Sequence, residues 1–407
     1  MQLSLEYSPK FVALFRQQRP ESLSYSFFRR LHYTGAQLIS FKSLMTETTD
    51  ILIIGGGISG LLTARELRLA GCEVTVLDCH ALGQQSSWAG GGILLPIYPW
   101  RQPAAISDLV IPSIAAYPRL QAEILSATAM DPQWRPCGMW ISQNPDIDLA
   151  KAWCTERGVV FEEGAGFQPA GIQASQQNSL WLPEVAQIRN PRLLKSLSAY
   201  LRQLGVRFIE HTAITAIETS DDRVVALTTT QHRWQFQHLV LTAGAWTAQL
   251  LKQFLPELQQ DLQVKPVKGQ MLLFAAPADL LKCMVLEGDR YLIPRADGRI
   301  LAGSTVEDVG FDKTTTAAAR EALYQFAVGV LPALKHCVVE EHWAGLRPGS
   351  PDGVPTIGLH PQLSNLGINV GHFRNGLVMG PASAQLLADL ILQRQPGLNP
   401  DAYAWRI

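Results

Sequence analysis

No run of about 18 uninterrupted apolar residues occurs anywhere in the chain, which excludes a plain membrane-spanning helix. No cluster of Lys and Arg interleaves with aromatics, and the formal net charge is only -1, so neither nucleic acid nor an anionic membrane surface is an expected partner. Cysteine is scarce. The six residues Cys72, Cys79, Cys137, Cys154, Cys283 and Cys337 form no C-x-x-C pair and keep no metal-type spacing to His. They read as reduced, mostly structural thiols of a cytoplasmic protein, with no metal site expected. Acidic residues are few in the first 44 positions, where Lys10, Arg16, Arg19, Arg29, Arg30 and Lys42 face only Glu6 and Glu21. That composition resembles a transit peptide but lacks a secretory signal's apolar core. Residues 1–44 are read as an extension dispensable for folding, with the fold opening at Met45; an organelle address is the second reading.

What is present is ordinary globular composition, 47% hydrophobic and 17% charged over 407 residues, a length that suggests two domains. The organising stretch is Ile51-Leu-Ile-Ile54 followed by Gly55-Gly56-Gly57-Ile58-Ser59-Gly60. An apolar, β-branched run reads as a buried parallel strand, and Leu61 to Leu69 has helical composition. Gly55 permits a tight turn, Gly57 admits a pyrophosphate to the backbone, and Gly60 lets the helix pack closely on the strand. Unpaired N–H groups at the helix start then face the phosphates. Gly71 stops the helix, Glu73 to Leu77 is a second strand, and Asp78 at its end is placed to hydrogen-bond a ribose. The loop Gly83 to Ile93 holds three consecutive glycines, which let backbone pass against a flat ligand, and Ser86-Ser87, whose hydroxyls suit phosphate.

Further along, helices are expected over Asp108–Thr128, Leu193–Leu204 and Thr314–Val330, with a last one ending near Leu392. Strands are expected at Trp134–Ser142, Val159–Glu163, Val206–Ile209, Ala213–Ile217, His238–Thr242, Lys265–Phe274, Tyr291–Pro294 and Arg299–Ser304, with Asp297-Gly298 marking a hairpin. The resulting fold class is α/β, a Rossmann-like nucleotide-binding domain interleaved with an antiparallel-sheet α+β substrate domain. Residues 45–132, 185–258 and 342–407 are assigned to the first, and 133–184 and 259–341 to the second.

Gly55 to Gly60, Asp78, Ser86-Ser87, Gly91-Gly92, Tyr291-Leu-Ile-Pro-Arg295, Gly345-Leu-Arg-Pro348 and Gly371-His-Phe-Arg-Asn-Gly376 together resemble the D-amino-acid oxidase-like FAD-dependent oxidoreductases, within them the glycine oxidase branch of thiamine biosynthesis. The resemblance covers about residues 48 to 407. The last two motifs are far more specific than the glycine-rich loop, which many nucleotide enzymes share. It implies non-covalent FAD, with Ile58 and Ser59 on the pyrophosphate and Asp78 and Cys79 by the adenosine ribose. Ser86, Ser87, Gly91, Gly92 and Ile93 follow on the ribityl-phosphate and flavin side, and Ile214 contacts the adenine. His372, Phe373, Arg374, Asn375, Gly376, Leu377 and Val378 close over the isoalloxazine, where a helix N-terminus would favour an anionic reduced flavin.

For the substrate, the resemblance implies Arg347, Arg374 and Tyr291 as carboxylate-binding and pocket-lining positions. A guanidinium holds a carboxylate through two parallel hydrogen bonds. Hydride transfer from the substrate Cα needs that fixed orientation, and no side-chain base is obligatory. The implied partners are a small amino acid (glycine, sarcosine or a D-amino acid) and O2, with ammonia and H2O2 released, in a homotetramer. Cys337 is read as structural rather than as a covalent flavin site. A D-amino-acid dehydrogenase or sarcosine oxidase of the same fold, and a flavoprotein-fold binding protein without catalysis, remain alternatives.

Overall fold

Ile51, Leu52, Ile53 and Ile54 are all buried, as a strand covered on both faces requires. The computed structural model describes residues 45–163, 168–174 and 178–405. Residues 1–44, and with them the expectation of a dispensable extension, lie outside the described residues. In chain order, β1 (Met45–Ile54), α1 (Ile58–Leu69) and β2 (Val74–Leu77) lead to α2 (Ser86–Ala89), α3 (Ala104–Thr128), β3 (Arg135–Pro136) and β4 (Met139–Ile141). Then come α4 (Ile147–Arg157), β5 (Glu162–Glu163), β6 (Leu180–Leu182), β7 (Ala186–Gln187), α5 (Asn190–Gln203), β8 (Arg207–Ile209), β9 (Ile214–Ser220), β10 (Arg223–Thr229) and β11 (His232–Leu241). α6 (Thr247–Phe254) precedes β12 (Lys265–Ala275), β13 (Met284–Glu287), β14 (Arg290–Pro294), β15 (Ile300–Gly303) and α7 (Ala317–Val330). β16 (Val338–Gly349), β17 (Thr356–Leu359), β18 (Leu366–Val370) and α8 (Gly376–Ile391) complete the set.

The first sheet runs β17-β18-β11-β1-β2-β8, with β10 joining β11 to β9. β1 lies parallel to both neighbours, Ile51 facing Val74 on one side and His238 on the other. Because side chains alternate across a strand, Ile51 and Ile53 enter the core shared with α1, α3, α5 and α8, while Leu52 and Ile54 enter the one shared with β10 and α6. The second sheet runs β16-β12-β15-β14-β13-β4-β6-β5 and packs Leu272, Phe274, Leu292 and Ile300 against Leu323, Ala327 and Val330 of α7. Asp297-Gly298 turns the β14–β15 hairpin as expected, with Gly298 at φ +88°.

Several expectations are corrected. β16 pairs antiparallel with β12, Arg347 opposite Val267, so a domain boundary at residue 342 cuts through a strand of the second sheet. Gly138, at φ +71°, breaks the expected strand Trp134–Ser142 into β3 and β4, and of Val159–Glu163 only Glu162–Glu163 is paired. α4, α6, β10, β13 and β17 were not anticipated from the sequence. No described helix is long and apolar enough to cross a membrane.

Candidate cofactor and substrate site

The glycines between β1 and α1 have distinct reasons. Gly55 sits at φ +106°, and a Cβ there would lie 2.6 Å from the Thr242 carbonyl oxygen. A Cβ on Gly60 would lie 2.0 Å from the Gly55 oxygen, so this glycine serves packing and does not line the site. Gly57 faces open space apart from the Ser87 hydroxyl. Thr242, at the end of β11, hydrogen-bonds the carbonyls of Ile54 and Gly55 at 2.9 and 2.8 Å and fixes the turn from the neighbouring strand.

Both serines of the next loop are engaged. Ser87 Oγ accepts from the Ile58 N–H at 2.9 Å, so that amide is not free in this structure; the Ser87 proton remains to be donated. Ser86 Oγ donates to the Leu346 carbonyl, which makes it a tether between α2 and β16 rather than a free phosphate ligand. Trp343 Nε1 donates to the Ala89 carbonyl at 3.1 Å, and a Cβ on Gly345 would meet the Ala89 methyl at 2.5 Å. Glycine at 345 is therefore what lets α2 lie against β16. The Phe373 N–H donates to the Pro348 carbonyl at 2.8 Å, and Gly349 bridges to His372. The two most specific sequence motifs are hydrogen-bonded to each other.

These segments enclose one cavity of 540 Å³. Its wall includes Gly55, Gly57, Ile58, Ser59, Asp78, Cys79, Ser86, Ser87, Gly91, Gly92, Ile93, Ile214, Tyr291, Arg347 and all of 372–378. Only Gly60 of the expected site residues is absent from it. Sequence reasoning missed Asn190, which donates to the Ser87 carbonyl at 2.7 Å and lines the wall, Trp246 immediately before the unanticipated α6, and Gln249 and Phe254 on that helix. It also gave Arg295 no role. That buried guanidinium donates to the Gly91 carbonyl at 2.7 Å and to Gln187 at 2.6 Å, holding the glycine loop in place. A charged residue following an apolar strand in Tyr291-Leu-Ile-Pro-Arg295 was the available signal.

Asp78 bonds the Gly56 and His80 N–H groups, each at 2.8 Å; burial pushes its carboxyl pKa up, against those hydrogen bonds. Arg347 Nη1 donates to the carbonyls of Lys268 (3.3 Å) and Thr305 (3.2 Å), and Nη2 to Ser304 Oγ (2.8 Å). Among the described residues no carboxylate pairs with it. Burial and the nearby Arg374 cation lower its pKa, while Tyr291 favours the charge. Arg374 is half-buried and reaches the Asp289 carbonyl at 3.4 Å. Tyr291 is 7% exposed and lies beside the Gly91 loop and Arg347.

The wall suits FAD. Helices α1 and α8 both begin at it, and neither has a side-chain cap from its own N-cap residue, so two partial positive charges converge where a pyrophosphate and a flavin would lie. Gly92, at φ +83°, would place a Cβ 2.0 Å from the Ile188 carbonyl oxygen, so only glycine fits at this point of the wall. Asn190 Oδ1 is buried without a partner beside it, an acceptor ready for a hydroxyl.

A family profile described as FAD dependent oxidoreductase matches residues 50–390. A glycine oxidase of Pseudomonas aeruginosa is 43% identical over 87% of this chain and 98% of its own length. A bifunctional protein ThiO/ThiG of Synechocystis is 32% identical over 86% of this chain and 53% of that protein. The crystal structure of glycine oxidase from Geobacillus kaustophilus covers 88% of this chain and 98% of its own, with TM-score 0.81 at 24% identity. With the cavity, the paired motifs and these relatives in agreement, the chain belongs to the FAD-dependent oxidoreductase family, on the branch that holds the glycine oxidases.

Proposed function

We propose that this chain oxidises glycine, and more broadly sarcosine and small D-amino acids, to the imine, which water converts to glyoxylate (from a D-amino acid, the corresponding 2-oxo acid) and ammonia (methylamine from sarcosine) as O2 is reduced to H2O2. Bound FAD supplies the acceptor for the hydride leaving the substrate Cα. The observation that carries the reading is Arg347, a guanidinium that lines the cavity with no carboxylate paired to it among the described residues and a second guanidinium, Arg374, acting on it. Its remaining N–H groups suit a substrate carboxylate, and Ser304, Thr305 and Lys268 hold it from behind. Tyr291, Arg374 and Met271 line the same cavity as Arg347. None of these residues needs to remove a proton if the substrate amine enters neutral. The bifunctional relatives support a role in providing glycine imine for thiamine thiazole formation.

Oxygen uptake and peroxide release with glycine, sarcosine and D-alanine test the substrate class. Arg347→Ala should cost about 2–4 kcal/mol in kcat/KM, roughly thirty- to a thousandfold, with the flavin spectrum kept. The perturbation of that spectrum by glycolate should vanish, and Arg347→Lys should recover only part because an ammonium lacks the planar fork. Normal glycine turnover and glycolate binding in Arg347→Ala would move the anchor elsewhere, first to Arg374.

A further inference from the structure

Lys268, on β12, is 1% exposed, although burying a lysine costs several kcal/mol unless its charge is met. Its Nζ lies 3.1 Å from Glu307, 3.5 Å from Asp312 and 3.1 Å from the Thr314 carbonyl. The backbones of Lys268 and Glu307 exchange two hydrogen bonds of 2.9 Å. Segment 304–316 is thereby fastened to β12, and the same segment supplies Ser304 and Thr305, which hold the Arg347 guanidinium. That guanidinium lies against the Lys268–Gly269 backbone, since a Cβ on Gly269 would come within 2.2 Å of both its terminal nitrogens.

Glu307 is the carboxylate whose field reaches Arg347. Burial alone would raise its pKa, but hydrogen bonds from Thr305, Gln270 and Lys268 prevail and hold it below the ordinary carboxylate value, so it is anionic. Gln270 Nε2 donates to it at 2.8 Å, while Gln270 Oε1 accepts from the Thr316 N–H at 2.9 Å. An anion two positions from Thr305 would compete with any incoming carboxylate for Arg347 unless its charge were already met.

We propose that Lys268 is a positioning residue that masks Glu307 and Asp312, keeping the Arg347 guanidinium available to the carboxylate of the amino-acid substrate. The proposal rests on Arg347 as the substrate anchor. Its test is glycolate titration of the flavin-loaded protein, followed by flavin absorbance, together with glycine kinetics. Lys268→Met should raise the glycolate Kd and the glycine KM by about ten- to a hundredfold, with kcat changed by less than about threefold. Adding Glu307→Gln to Lys268→Met should restore both to within about threefold of the parent, a rescue that a purely structural lysine would not show. Glu307→Gln alone should leave glycolate binding unchanged or tighter. Full binding in Arg347→Ala would remove the anchor itself. Loss in Arg347→Ala with no change in Lys268→Met, or no rescue in the double variant, overturns the mask and leaves the anchor standing. If Lys268→Met fails to load FAD, Glu307→Gln decides: a weakening of about tenfold or more refutes the proposal, and unchanged or tighter binding supports it.

Discussion

His372 shows how much a single side chain of the specific motif carries beyond its letter. Ser383 Oγ donates to the Met379 carbonyl at 2.8 Å, so at 3.2 Å it must accept from His372, which places the ring proton on Nε2. Burial pushes the His372 pKa from 6.5 down to about 4. The folded ring therefore stays neutral while the unfolded chain takes up a proton first. The stability this represents is complete above about pH 6.5 and is lost as pH falls through 4, of order 3 kcal/mol in all. His372→Gln, saturated with FAD, should show a shallower fall of melting temperature between those values; an unaltered acid limb would assign the loss to other groups. The motifs of the sequence single out His372, Arg347 and Asp78, and all three lie on the cavity wall. They do not reveal that Ser86 tethers Leu346 or that Arg295 holds Gly91, because those partners lie 260 and 204 positions away.

At the scale of elements, legibility follows punctuation. β1, α1 and α5 are bounded by Gly or Pro and can be read directly, and Gly71 and Gly205 stop their helices at φ +98° and +88°. α6 has only eight residues and β13 and β17 four each, runs too short to show a period, so they went unread. The α1 start offers a direct test. A methyl at residue 60 must displace backbone at Gly55, which costs about 1–3 kcal/mol. Gly60→Ala should lower the melting temperature by several degrees and weaken FAD binding. Gly358→Ala, where the Cβ position is open and φ is not positive, serves as the control. Equal behaviour of the two variants would refute a packing role for Gly60.

At the scale of the molecule, the return of the chain to each of two sheets could be read from alternating patterns, whereas strand order could not. Placing β16 beside β12 requires pairing residues about eighty positions apart, and no local pattern encodes that. The cavity takes its wall from both sheets, β1, β2 and α8 on one side and β12, β14 and β16 on the other. A ligand bound there stabilises whatever must stay closed around it, by about 2.7 kcal/mol at a hundredfold excess over Kd. Stripping FAD should therefore raise amide hydrogen exchange in both sheets; a rise confined to the first would show that the second contributes no binding energy. Because the wall also joins residues near 55 to residues 372–378, synthesis imposes an order of events. While the ribosome is still making β16, the phosphate loop and the adenine-side residues have already emerged, but the segment that closes the cavity has not. Cofactor capture in the cell is then a late step, and translation arrest between β16 and α8 would yield a chain that carries its first βαβ unit but lacks residues 376–378 of the cavity wall.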